Sequence, residues 1–257
     1  MRIFIPTRGR WASQLTLENL TKFGEIDYQI TLVVREDEVD KYAWEDKLVV
    51  PNDMPLHEKR LFILRQDTRV LMMDDDLSFS ERITDTYAPQ ITSLAKTNEM
   101  LHRQEKLLDE YAHTSMAMRQ FINDKPRGVR ETYKSCRVLG FQTDVVLAEG
   151  VKFCPDDWVG PFPMDDYHMT LSLLELGYPN AVDHEFCTGA PGAGERPGGL
   201  TGIRTADLQS LSAKKLAELH PESVTLRSKV AETAFDGQEH LDVTIRWGRA
   251  LGVKANG

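Results

Sequence analysis

The stretch from Thr68 to Phe79, TRVLMMDDDLSF, constrains this chain more than any other. Val70, Leu71, Met72 and Met73 run without interruption and stop at Asp74, Asp75 and Asp76. So short a run predicts a strand buried on both faces rather than a helix. Three carboxylates at its end repel one another and are costly to bury unpaired. A divalent cation relieves that repulsion. Hard oxygen ligands suit Mg2+ or Mn2+, which bind one or two carboxylates together with substrate phosphates. On an extended chain Asp74 and Asp76 project to one side and Asp75 to the other. Asp74 and Asp76 are therefore expected to hold a metal and a diphosphate together. An acidic turn with no ligand is the plainer alternative.

The flanking segments sharpen the expectation. Residues 2–6, 28–34 and 47–50 read as strands, and 12–22 and 57–66 as helices. Strand and helix alternating up to the acidic run predict a parallel sheet with right-handed crossovers. Ligands of such sheets sit beyond the carboxyl ends of the strands. Arg8, Arg10, Glu36 and Asp76 all fall there. Residues 90–110 read as a polar helix, 111–122 as a strand, and 131–147 as at least one strand running through Val138 to Leu147. Arg127, Arg130, Lys134 and Arg137 cluster with Tyr133, either as a solvated basic edge or as a rim for a polyanionic acceptor. The loop around Trp158 offers a ring for stacking.

Asp165 and Asp166 open a helix that Gly177 ends. One is expected to cap it; the other would face the site as a base, kept ionised by the helix N-terminus. Residues 181–187 read as a strand presenting His184, a satisfied structural histidine or a further metal ligand. Residues 188–204 are glycine-rich and hold Arg196 and Arg204. Without a strand-to-helix context they are no dinucleotide fingerprint. A lid closing over phosphates is expected, with a plain linker as the alternative. Residues 206–219 and 222–236 read as helical, and 239–247 as a late strand.

Composition bounds the rest. The 257 residues are 41% hydrophobic and 28% charged, ordinary for a globular protein. Three scattered cysteines argue against a disulfide framework or zinc site. No apolar run reaches membrane-spanning length and no signal-peptide pattern opens the chain, so a cytoplasmic protein with no membrane partner is expected. The net charge of −9 weighs against a generally basic nucleic-acid coat but leaves room for a local basic groove.

The segments IPTRGR, LVVREDE, HEKR, MMDDD, PMDDYHMTLSLLELGY and DHEFC together resemble a GT-A glycosyltransferase, across about residues 1–187. More narrowly, VLMMDDDLSF, YAHTSM, DDYHMTLSLLELGY, GGLTGIRT and the late Ile-Arg-Trp are similar to phage glycosyltransferases found beside TET-like dioxygenases. The resemblance implies a single α/β domain with a Rossmann-like mixed sheet flanked by helices. Residues 1–80 would bind the nucleotide-sugar, 81–205 would serve acceptor and catalysis, and 206–257 would pack as C-terminal helices and an arm. It implies a nucleotide-sugar donor such as a UDP-sugar, Mn2+ or Mg2+, and a double-stranded DNA acceptor carrying 5-hydroxymethylcytosine. Carried over by residue, Pro6, Thr7, Arg8, Arg10, Glu36, Arg60, Asp74 and Asp75 would meet the donor, with Arg196 and Arg204 closing over it. Asp76, Asp74 and His184 would meet the metal, and Asp166 or Asp165 would be the base. Arg127, Arg130, Tyr133, Lys134, Arg137 and Trp158 would meet the acceptor. Many relatives have Glu-Asp where this chain has Asp165-Asp166, which leaves open which carboxylate acts. A glycan acceptor, a nucleotidyltransferase and a non-catalytic nucleotide-sugar-binding module are the alternatives.

Overall fold

The structure is a computed structural model that describes residues 1–123, 125–192, 197–199, 203–230 and 235–253. The chain opens with β1 (Arg2–Pro6), α1 (Leu15–Thr21), β2 (Ile30–Arg35), β3 (Lys47–Val50), α2 (Leu56–Ile63) and β4 (Arg69–Met73). β5 (Ser78–Glu81), α3 (Leu94–Leu107), β6 (His113–Met118), β7 (Val129–Glu131), β8 (Val138–Gln142) and α4 (Thr143–Ala148) follow. The last part holds α5 (Asp165–Glu175), β9 (Asn180–Gly189), α6 (Ala206–Leu219), β10 (Val224–Val230), β11 (Glu239–Ile245) and α7 (Trp247–Ala250).

Nine strands form one mixed sheet in the order β3-β2-β1-β4-β8-β6-β9, with β5 and β7 both antiparallel to β9. β1 is parallel to β2 and β4, β2 to β3, and β6 to β9, while β8 runs antiparallel between β4 and β6. The mixed α/β sheet flanked by helices expected from the sequence is therefore present. Its parallel strands read as unbroken apolar runs because both faces are covered. Ile3, Ile5, Leu71 and Met73 enter the core on one face, and Phe4, Val70 and Met72 the core on the other. That is the period of two of an extended chain. A third cluster joins α5, α6 and α7 to β10 and β11 through Leu171, Leu174, Leu216, Val224 and Val243.

Strand direction brings the site together. β1, β2, β4, β6 and β9 end at the same edge of the sheet, and β8 begins there. One buried cation braces that architecture. The Arg82 side chain has no accessible surface and donates to the carbonyls of Asp85, Ile122, Lys125, Pro126 and His184.

Two expectations fail. The strand predicted through Leu147 ends at Gln142. Thr143 then donates its hydroxyl to the Asp67 carbonyl at 2.7 Å, and the chain turns into α4. Within the stretch expected to be helical, Val224–Val230 form a strand. β-branched Val224, Thr225 and Val230 favour an extended chain, and β10 pairs with β11 along its whole length.

Candidate active site

β4 delivers the three aspartates, but the chain does not remain extended beyond it. Residues 75 and 76 form a turn. Two residues of α1 fix that turn: the Thr16 hydroxyl donates to the Asp74 carbonyl at 2.5 Å and accepts from the Leu77 N–H at 2.8 Å, and Asn19 donates to the Leu77 carbonyl at 2.9 Å. On the other side the Asp74 N–H donates to the Arg137 carbonyl at 2.8 Å, with Arg137 at φ 67°. The turn ends the alternation of side chains expected of an extended chain. Asp75 and Asp76 share one arginine, and Asp74 faces another.

Arg10 is the shared cation. Its guanidinium pairs with Asp75 and, at 2.8 Å, with Asp76. Asp75 is 6% exposed, and its second oxygen accepts from the Thr7 hydroxyl at 2.6 Å. The Tyr42 hydroxyl lies 3.2 Å from Thr7 and donates to Glu38 at 3.3 Å, and Glu38 also accepts the Gly9 N–H at 2.9 Å. Pro6 closes β1 beside Val33. Glu36 is exposed, so Glu38, two residues later in the same acidic run, is the carboxylate that reaches the first loop. Lys59 was also missed. It is buried, and burial followed by the cations Arg35 and Arg8 pushes its pKa down to about 8. The basic segment HEKR carried that signal.

Part of the glycine-rich segment is seated on this network. Arg10 donates to the Pro197 carbonyl at 3.2 Å, and the Gly199 N–H donates to the Arg8 carbonyl at 2.9 Å. A Cβ on Gly198, at φ +87°, would stand 2.6 Å from the Arg8 carbonyl oxygen, so only glycine fits. Arg196 lies outside the described residues. Arg204 is held by Gln209 at 2.7 Å and lies 5.9 Å from the Phe235 ring centre.

The second arginine, Arg60, is buried between Asp74, at 3.2 Å, and Asp165, at 2.8 Å. Asp165 does not cap α5. The cap position is Met164, and Asp165 is the first helical residue, accepting the Asp166 N–H at 2.9 Å. Burial raises the pKa of both Asp165 and Asp166; Arg60 pulls each back, and their mutual repulsion adds to the rise of Asp166. The expectation that the helix N-terminus alone keeps the base ionised is thus corrected, since burial outweighs it. Asp74 keeps 39% of its side chain accessible, yet the dense surroundings push its pKa up to about 6 against the pull of Arg60, with Asp76, Asp166 and Asp75 adding to the rise.

The residues expected at the acceptor disperse. Arg127 pairs with Glu185 at 2.8 Å and donates to the Ile83 carbonyl. Tyr133 lies edge-on to His184, their ring centres 5.4 Å apart. His184 is buried; burial, then Arg130, Arg82 and Lys125, pushes its pKa down to about 4. Its electrostatic neighbours are cations rather than the aspartates. Among the described residues no three His, Cys, Asp or Glu side chains gather around one point, so Asp74, Asp76 and His184 do not form a ligand set. Trp158 donates its indole N–H to the Pro161 carbonyl at 3.0 Å and packs on the C-terminal cluster. Lys134 acts on Asp166, with its ammonium 4.9 Å from the Phe121 ring centre and 5.2 Å from that of Tyr167. Trp247 meets Tyr167 edge-on at 5.7 Å. The rings near Asp166 are therefore Phe121, Tyr167 and Trp247, which only long-range folding brings together.

The charge balance fits a divalent cation. Asp74, Asp75, Asp76, Asp165 and Asp166 are five carboxylates; Arg10 and Arg60 are the two guanidinium groups among them. Burial is the main cause of the upward shift of Asp74 and Asp166, and the neighbouring carboxylates add to it. Among the described residues no helix is long and apolar enough to cross a membrane.

A model of the family of TET-associated glycosyltransferases matches residues 1–187. No curated protein matches the chain. Among solved structures, mannosyltransferase PcManGT from Pyrobaculum calidifontis, in complex with GDP-Man and Mn2+, aligns with a TM-score of 0.49 at 14% identity, covering 84% of this chain and 64% of that one. Residues 1–349 of TarS from S. aureus, in complex with UDP-GlcNAc, align with a TM-score of 0.49 at 14% identity over 84% of this chain and 67% of that one. This chain thus spans about two thirds of the length of either.

Proposed function

The chain belongs to the TET-associated glycosyltransferase family, and from that premise we propose that it moves a sugar from a nucleotide-sugar to a hydroxyl group. The observation that carries the proposal is the ring of five carboxylates about Arg10 and Arg60 at the carboxyl ends of β1 and β4. The donor is a UDP-sugar and the acceptor 5-hydroxymethylcytosine in double-stranded DNA. Arg8, Arg35 and Lys59 supply positive charge for the donor, with Pro6, Thr7, Glu36 and Glu38 shaping its nucleotide side. Arg10 and Arg60 hold the aspartates in place. Asp76 and Asp74 would hold Mn2+ or Mg2+, which, when bound, neutralises charge developing on the leaving diphosphate.

Asp166 takes the proton of the acceptor hydroxyl as its oxygen attacks the anomeric carbon in line and the carbon–diphosphate bond breaks. Its raised pKa leaves it a stronger base than an exposed aspartate. Asp165, fixed by Arg60, orients the start of α5 and so positions Asp166. Lys134 stands where it favours the ionised base.

The deciding experiment is a transfer assay with purified protein, Mn2+, a panel of UDP-sugars and duplex DNA with or without 5-hydroxymethylcytosine, read by nucleoside mass spectrometry. A gain of one sugar on the hydroxymethylated base alone is expected. UDP release with no gain on DNA would remove the DNA acceptor and favour a glycan. In calorimetry, Asp76→Asn should lose the Mn2+-dependent part of UDP affinity; an unchanged value would sink the metal assignment.

A further inference from the structure

Phe121, Lys134, Tyr167 and Trp247 form a continuous row beside Asp166. Lys134 lies within 4.9 Å and 5.2 Å of the ring centres of Phe121 and Tyr167, and Tyr167 within 5.7 Å of that of Trp247. Phe121 is 45% exposed, too open to be a core residue, and it lies three residues beyond the end of β6 at the site edge of the sheet. Lys134 makes no ion pair within the described residues. Arg204 acts on Tyr167 and, among the described residues, donates to the neutral Gln209. The nearby carboxylate Asp242 is already paired with Arg227 at 3.0 Å. Exposed Arg119 and Arg246 adjoin the two ends of the row in the chain. A protein of net charge −9 thus carries a local strip of cations that have no carboxylate partner among the described residues, interleaved with rings.

Bases unstacked from a duplex are held by aromatic faces, and their phosphates by lysine and arginine. We propose that this strip is the acceptor surface, on which an extrahelical base stacks against Phe121 and Tyr167 while Lys134 and Arg204 meet the phosphates on either side. The proposal rests on the DNA-glycosylating function above and adds its location. It also gives the C-terminal segment a role: Trp247 lies beyond the 1–187 stretch that the family model matches, so acceptor recognition is completed by a part of the chain outside it. A glycan would stack on the same rings but has no use for the cations.

The test is fluorescence anisotropy of a labelled DNA duplex with a mispaired 5-hydroxymethylcytosine, titrated with full-length protein at several salt concentrations, beside calorimetry with a UDP-sugar. Phe121→Ala and Trp247→Ala should each weaken DNA binding about ten-fold, and Trp247→Phe, which keeps a ring, should restore most of it. Lys134→Gln should reduce the slope of log affinity against log salt by about one. Wild-type DNA affinity and slope in all three ring and charge variants would overturn the strip. So would a wild-type protein that binds UDP-sugar but no DNA at low salt, with glycosyl transfer left standing. DNA binding that is lost in Phe121→Ala, in a protein with no UDP-sugar affinity, would support the strip and overturn the transferase.

Discussion

Asp75 and Asp166 are both aspartates at the edge of one sheet, but their surroundings differ. Both oxygens of Asp75 have partners, Thr7 and Arg10, and Arg10 is in turn tied to Asp76 and Pro197. Among the described residues the Asp166 carboxylate accepts only its neighbour's N–H, and its nearby cation, Lys134, rests on two aromatic faces. The first region is cross-linked before any ligand arrives. The second has open rings and free charge. A phosphate-bearing donor of fixed shape rewards the first arrangement through preorganisation. An acceptor that must enter, turn and leave is served by the second.

The comparison breaks most visibly at Asp166. Asp166→Asn should lower transfer by about 10^2–10^4-fold while keeping donor affinity, measured by mass spectrometry and calorimetry. If Asp165→Asn alone is dead, the base is its neighbour. Next comes Arg60, which links the two regions through Asp74 and Asp165. Arg60→Ala should cost about 3–5 kcal/mol in urea unfolding, because it strands buried carboxylates; a loss below about 1 kcal/mol would show that water compensates them.

A smaller effect is expected on pH dependence. Asp74 and Asp166 are raised in the folded protein, so the native state binds more protons than the unfolded chain between the ordinary aspartate pKa and about 6. Stability should therefore fall as pH rises through that window, with no metal present, and level off above it. Asp74→Asn and Asp75→Asn should each flatten part of the fall, because burial raises both carboxylates. Transfer should run the other way, rising through the same window as Asp166 ionises. The smallest effect is at Gly198. Gly198→Ala should detach the Pro197–Gly199 segment from Arg8, raising protease cleavage there several-fold and shifting Tm by only about 2–4 °C.

The sheet was legible because its strands are short, uniformly apolar and closed by charge or turn residues, as in Val70 to Asp76. The hairpin at Val224 was misread because its exposed, charged residues carry little periodic signal. The site was legible in position at the strand ends, where Thr7, Arg10 and Asp76 meet in one network through Asp75. It was illegible where partners meet only through the fold. Arg60 reaches Asp165 across α2 and α5, Glu38 supplants Glu36 because a turn redirects it, and Trp247 arrives from the C-terminal segment. Trp158 drew attention as a ring among prolines and glycine, yet its N–H is spent locally.

The bond from Arg10 to Pro197 joins residues 187 positions apart. A ribosome delivers Arg10 early, Asp75 and Asp76 next, Asp165 later and Pro197 last. Until then the nascent chain holds its acidic turn with an arginine that still lacks its last anchor. Contacts of such long range are slow to close. The donor network is therefore completed only after most of the polypeptide has been made, and a chain terminated before the glycine-rich segment would carry the aspartates without the segment that covers Arg8 and Arg10.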